Sequence, residues 1–261
     1  MYTIVWGEPL SINYILSMIF VFAVLISLIF LLKNKSEKVI KIVLFPFSLL
    51  GLGAIIYNIF AYGNVDQWNP LTFNDNVYHH LPLNFCSYTA LLCPILVLMN
   101  KRNILGNYLL PGSIGAMASL TLRESGCYEM NIFEGDFIWY FYPHMFEFII
   151  PQVFIFIKKV EIKPLYIPFA LAITIVLYTI SYNVGHYVNI KHGVDTNYFF
   201  GERPNNPVLE MCWNILPVKY WYMFLCFPLF LIVNILYSIP YFIKKGKEHR
   251  TKKEALALEQ N

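Results

Sequence analysis

Charge is scarce in this sequence: 13% of its 261 residues are Asp, Glu, Lys or Arg, where a soluble domain carries about a quarter. Beside 57% hydrophobic residues, that scarcity excludes an ordinary water-soluble globule. No polar stretch is long enough for a soluble domain, and no repeat at a fixed period runs through the chain, which excludes solenoids. Paired cysteine motifs are missing as well. Cys86, Cys93, Cys127, Cys212 and Cys226 form no CxxC and no zinc-type spacing, so neither a dithiol redox site nor a zinc module is encoded locally. The opening residues MYTIVWGEPLSINY carry no basic segment and no small-residue cleavage site, and the first apolar run is expected to stay in the protein.

What the chain has instead is apolar runs of about twenty residues, the length that crosses roughly 30 Å of hydrocarbon as helix. Seven fall at about 11–32, 39–61, 81–100, 104–122, 137–157, 164–187 and 219–243. They predict an all-α fold, a polytopic transmembrane helical bundle. The fourth is the least greasy, but its GSIGAMAS is the small-residue type that lets membrane helices pack closely. Residues 1–243 read as one bundle domain and 244–261 as a basic cytoplasmic tail.

The connecting segments alternate in charge. Lys33, Lys35 and Lys38 follow the first span, Lys101 and Arg102 the third, Lys158, Lys159 and Lys163 the fifth, and KKGKEHRTKK the last. The intervening segments are acidic or nearly free of Lys and Arg. The positive-inside rule then predicts the N-terminus outside and the C-terminus inside. The net charge of +3 therefore belongs to topology, and no nucleic-acid partner is expected.

Polar residues inside the spans are few and gather at one depth. HHLPLNFCSY (79–88) opens the third span, WYFYPHMFEF (139–148) opens the fifth, and SYNVGHY (181–187) closes the sixth. Cys86 is expected about 8 Å below the outer boundary and His144 about 10 Å, at 1.5 Å per residue. His80, Asn84 and Ser87 are spaced to form one helical stripe, and Tyr140, His144 and Glu147 another. An ionisable residue at that depth is a functional-site candidate by default, and Glu147 is the acidic one. A buried cysteine stays inert without a base, and a histidine at its depth can make it a thiolate nucleophile. Ester carbonyls of phospholipids lie at about that level. Glu147 or Asn183 are candidates to orient His144, and His80, Asn84 or Asn183 to contact an oxyanion. The bland readings are a helix-linking histidine and a packing cysteine. His80, Cys86, His144 and His186 have metal-ligand atoms but no local spacing signature, so neither metal nor cofactor is expected. The long loop before the last span, rich in Asn, Pro and aromatics, reads as a lid, with Asn197, Tyr198 and Arg203 towards a lipid headgroup. Cys127 and Cys212 fall in the two long outer loops and could pair if that side is oxidising.

Taken together these stretches resemble a known family. HHLPLNFC is similar to the HLPLHxC-type segment of the YwaF-like bacterial membrane proteins, whose animal relative is transmembrane protein 164. His144 matches that family's histidine on a later span, and TNYFFGERP (196–204) its TNYMFLxxKP element. The resemblance covers roughly residues 40–235 and keeps the order. It implies a multi-pass membrane protein and, from the animal relative, acyltransferase activity on ether phospholipids through a Cys and a His. By position those are Cys86 and His144. Asn84 replaces the second histidine, and NILPVKYWY stands in place of GPWPWY before the last span.

The expected function is therefore a membrane lipid acyltransferase working through an acyl-thioester, with a phospholipid or other acyl-lipid substrate, in a bacterial plasma membrane. A lipid hydrolase using the same pair remains open, as do a transporter or small-solute channel and a non-catalytic membrane protein. The visible polar layer is shallow and one-sided, whereas transporters bind near the midplane between repeats.

Overall fold

The computed structural model describes residues 4–63, 75–122, 125–198, 207–215 and 221–259. Among the described residues nine α-helices follow in order: α1 (Ile12–Leu32), α2 (Glu37–Ser48), α3 (Leu50–Gly63), α4 (Phe85–Leu98), α5 (Asn103–Thr121), α6 (Gly135–Phe156), α7 (Ile167–His192), α8 (Pro207–Ile215) and α9 (Trp221–Glu259). No strand occurs among them; Val5 and Asn131 make an isolated antiparallel bridge. The fold is all-α.

Each of the seven apolar segments is occupied by helix, with informative departures. The second is divided at Leu49, three residues past Pro46, whose missing N–H removes a helical hydrogen bond. The third begins at Phe85 rather than Leu81, because Pro82 disfavours helical backbone in the residue before it. His80 therefore lies in a short 3-10 turn, Asp75–His80, and Asn84 occupies the N-cap position of α4 with extended backbone. The expected His80–Asn84–Ser87 stripe is not a helical stripe. The basic tail continues α9 without a break, and the long loop before the last span contains α8.

Among the described residues four helical segments are long and apolar enough to cross a bilayer: Ile12–Leu32, Glu37–Ala61, Pro164–His192 and Phe227–Lys253. They expose large apolar side chains such as Leu16, Ile19, Phe20, Val176 and Ile235. In water such surface would be costly; in lipid it is the natural boundary. α4 is apolar but only 14 residues long. α5 and α6 have the length, at 19 and 22 residues, but are too polar or too small-residued to stand in lipid alone. They form the centre instead. Asn107, Ser113 and Gln152 are buried there and bond across helices. Gln152 donates to Ser113 Oγ at 2.9 Å, and Asn107 to Asn234 Oδ1 at 3.1 Å.

Contacts fix the direction of the central helices. Cys86 at the start of α4 and Tyr140 near the start of α6 both reach Ser119 near the end of α5, so α5 runs antiparallel to both. At the opposite end Arg102 joins the start of α2 to the end of α4, through Glu37, Leu96 and Val97. Lys159 and Lys244 gather at that end too, on Glu37 and Glu161. The bundle has a Cys86 end and a lysine end.

The N-terminal arm closes over the Cys86 end. Trp6 is fully buried, edge-on to Phe137, Tyr140 and Phe141, and its indole N–H donates to Ser17 Oγ at 2.9 Å. Nothing in the periodicity of the sequence foretells this plug.

Candidate active site

Three side chains isolated by their rarity meet in space. The Cys86 sulfur, one His144 ring nitrogen and one Glu147 carboxylate oxygen all lie within 4.8 Å of one another. Cys86 is the second residue of α4, one residue past its first turn's start, where the unpaired N–H groups and the helix dipole favour negative charge. His144 and Glu147 stand three apart on α6 and so share a face. Glu147 is 5% exposed, and its Oε2 has no hydrogen-bond partner among the described residues. A buried polar atom left without a partner is a rarity.

The backbone settles the histidine's tautomer. Nδ1 is 2.7 Å from the carbonyl oxygen of Tyr140. A carbonyl only accepts, so Nδ1 carries the hydrogen, and in the neutral imidazole Nε2 keeps the lone pair. The orienting contact expected from Glu147 or Asn183 is thus made by Tyr140's carbonyl. Tyr140 is itself held, its hydroxyl donating to Ser119 O at 2.8 Å. Ser119 Oγ in turn donates to Gly115 O at 3.2 Å and lies 3.7 Å from the Cys86 sulfur. With Ser119's proton committed, the thiol is the donor to Ser119. Ser119 was not among the sequence candidates, because a serine amid GSIGAMAS carries no signal beyond smallness.

Gly51 is another residue the sequence did not mark. A Cβ placed on it would come 2.6 Å from Ala90 Cβ and 3.2 Å from Glu147 Oε1. The absent side chain lets α3 close on α4 beside the carboxyl group. Gly51→Val is expected to lower stability by about 1–3 kcal/mol through overpacking, read as a lower melting temperature in detergent.

The other sequence candidates are placed as follows. His80 stands in the Asp75–His80 turn, part-buried, and burial together with neighbouring His79 holds its pKa below the usual imidazole range. Asn84 is exposed at the α4 N-cap. Asn183 is exposed on α7 and its amide donates to Thr179 O of its own helix; it does not orient His144. The residue of that stretch turned inward is Ser181, fully buried and 2.9 Å from the Tyr88 hydroxyl. Arg203 lies outside the described residues. Cys127 and Cys212 are both free cysteines, so the conceivable disulfide between them is not formed.

The start of the TNYFFGERP element is stitched down. Asn189 accepts from the Thr196 backbone N–H at 2.8 Å and hydroxyl at 2.7 Å, and donates to the Thr196 carbonyl at 2.9 Å. Tyr198 is buried and donates to the Tyr78 carbonyl; burial pushes its pKa up to about 12, so it remains a donor. Tyr78 in turn meets His192 Nε2 at 3.1 Å. Asn197 borders a small cleft with Tyr182 and His186. Thr196 and Tyr198 therefore fasten the loop to α7 and to the turn that precedes α4.

The family model described as the TMEM164 family matches residues 9–237. The chain belongs to the TMEM164 family. It is an integral membrane protein, as its apolar helices require. No curated protein and no solved structure matches the chain. Within this family member the cluster of Cys86, His144 and Glu147 combines a thiol, a base with a fixed tautomer and a buried carboxyl group. A thiol, an imidazole and a carboxylate are also the ligand types of divalent zinc, so among the described residues these three are the ones that could hold a metal.

Proposed function

We propose that this chain is a seven-span membrane lipid acyltransferase with Cys86 as nucleophile and His144 as general base. The observation that carries the reading is the Cys86–His144–Glu147 cluster within 4.8 Å, with Nε2 of His144 left free to accept a proton. Residues 1–243 form the bundle and 244–261 the tail, with the N-terminus outside and the tail inside a bacterial plasma membrane. The gathering of Arg102, Lys159, Lys163 and Lys244 around Glu37 and Glu161 at one end supports that orientation through the positive-inside rule.

The shortness of α4 supports a lipid substrate. Its 14 residues reach about 21 Å of the roughly 30 Å of hydrocarbon. Its N-terminus, with Cys86, is therefore recessed, and non-helical backbone at such depth belongs beside protein or a cavity. An acyl ester near the top of the hydrocarbon meets the sulfur there.

The chemistry balances in two steps. The S–H bond turns from Ser119 towards His144, whose Nε2 takes the proton, while the Ser119 hydroxyl turns from Gly115 to the thiolate. The thiolate attacks the ester carbonyl, and the lyso-lipid alkoxide leaves with the proton from the imidazolium, giving an acyl-thioester on Cys86. An acceptor hydroxyl then gives its proton to Nε2 and attacks the thioester, the C–S bond breaks, and the departing thiolate takes the proton back from the imidazolium. With water as acceptor the same pair is a hydrolase. Asn197, Tyr198 and Arg203 belong to the loop that would cover the headgroup.

The test is intact mass of the full chain in nanodiscs after incubation with phospholipid. An adduct of acyl mass, released by hydroxylamine, is expected on wild type. Adding lysophospholipid should yield diacyl product for a transferase, and free fatty acid alone would make it the hydrolase. Folded protein giving neither adduct nor product would overturn both.

A further inference from the structure

The lysine end carries a groove that acyl transfer leaves unused. It lies between the end of α6, the connection to α7 and the C-terminal half of α9, with a volume of about 1510 Å³. That exceeds the roughly 300–1,000 Å³ of small-molecule pockets. Its walls are apolar where Phe156, Leu236, Pro240 and Ile243 line it, and along α9 they turn cationic at Lys244, Lys247 and Lys252. Lys158, just past α6, adds a further cation.

Charge accounting leaves part of this rim unbalanced. Glu161 is shared between Lys163 at 3.5 Å and Lys244 at 3.6 Å, and Glu248 reaches Lys245 at 4.0 Å. Lys158, Lys247 and Lys252 have no carboxylate within ion-pair distance among the described residues. A greasy wall ending in unpaired ammonium groups fits an amphiphile with apolar chains and an anionic head. A neutral solute would leave the lysines idle, and a free anion would leave the wall uncovered.

We propose that this groove is a binding site for an anionic phospholipid, with the acyl chains along α6 and α9 and the head phosphate among Lys158, Lys247 and Lys252. Juxtamembrane lysines attract anionic headgroups by local electrostatics that salt weakens. The site is remote from Cys86, so its occupancy is a property separate from acyl transfer.

The experiment titrates the purified full chain with phosphatidylglycerol and with phosphatidylcholine of the same chains, counting bound lipids by native mass spectrometry. Wild type should bind phosphatidylglycerol preferentially. The triple variant Lys158→Gln, Lys247→Gln, Lys252→Gln should lose roughly fivefold per lysine, on the order of 100-fold together. The triple Lys→Arg variant, which keeps the charges, should retain the preference and serves as the folding control. Equal binding of the two lipids by wild type would overturn the proposal. So would a glutamine variant that binds phosphatidylglycerol as wild type does, or an arginine variant that loses it.

Discussion

Cys86→Ala is expected to abolish the hydroxylamine-labile adduct and His144→Ala to slow its formation by about 10³-fold or more. Removing the nucleophile leaves no atom to carry the acyl group. Removing the base leaves a thiol whose proton is held by Ser119, which lies 3.7 Å from the sulfur. General-base help is worth about 10²–10⁴ in rate, and activation of the nucleophile by the same imidazole places the loss in the upper part of that range. Both variants should fold, since Cys86 and His144 are each only part-buried and neither bridges a buried charge. Glu147→Gln separates two further ideas. If the carboxyl group only fills space beside Gly51, the glutamine variant keeps the wild-type rate at every pH. If it tunes the imidazole, the pH profile of adduct formation moves. A chelator should leave wild-type acylation unchanged, because the thiolate route needs no metal. A chelator-sensitive rate restored by zinc would instead make Cys86, His144 and Glu147 metal ligands and remove the thiolate as the attacking group.

Much of this site was legible because its members are rare. A cysteine, a histidine and a glutamate stand out in apolar runs, and i, i+3 spacing already put His144 and Glu147 on one face. Rarity is a poor guide to facing, however. Asn183 was selected by type, yet it lies two residues, about 200° round the helix, from Ser181. The inward stripe of α7 runs through Thr174, Tyr178, Ser181, Gly185 and Val188, and the helical phase of small and large residues would have found it. The α4 start lies later than the apolar run implies for a local reason, since Pro82 disfavours helical backbone at Leu81. Ser119, the Tyr140 carbonyl and Gly51 were beyond reach for another reason. They act through what they touch on other helices, and a serine, a backbone oxygen and an absent side chain leave no mark on composition. Trp6 is the same case in the core, because its three ring partners come from α6, some 130 residues along the chain.

The largest expected effect on stability belongs to Arg102, which in the sequence reads only as a topology charge. It is 2% exposed and closes the end of α4. The last four carbonyls of a helix lack intrahelical donors, and all four of these are met. Ile95 O accepts from the Met99 N–H at 2.9 Å and Leu98 O from Lys41 Nζ at 2.7 Å. Arg102 serves the two between, with Nε on Leu96 O at 2.8 Å and Nη2 on Val97 O at 3.1 Å. The same Nη2 donates to Glu37 Oε2 at 2.9 Å, and the guanidinium lies 4.5 Å from the Phe154 ring centre. Arg102→Met keeps the stem but leaves two buried carbonyls without donors, at about 1–3 kcal/mol each. Loss of the ring contact adds roughly 1 kcal/mol. The Glu37 pair adds less, because Glu37 is 41% exposed and keeps Lys159 at 3.3 Å. The expected total is about 3–7 kcal/mol, seen as a lowered unfolding midpoint in detergent. Arg102→Lys should recover only part of it, since one ammonium cannot span acceptors that the planar fork reaches together. A methionine variant as stable as wild type would mean that water replaces Arg102 at the α4 terminus, placing that end of the bundle outside the hydrocarbon. The acyl adduct on Cys86 should still form in whatever fraction of the methionine variant stays folded, because Arg102 acts at the far end of α4 from the sulfur.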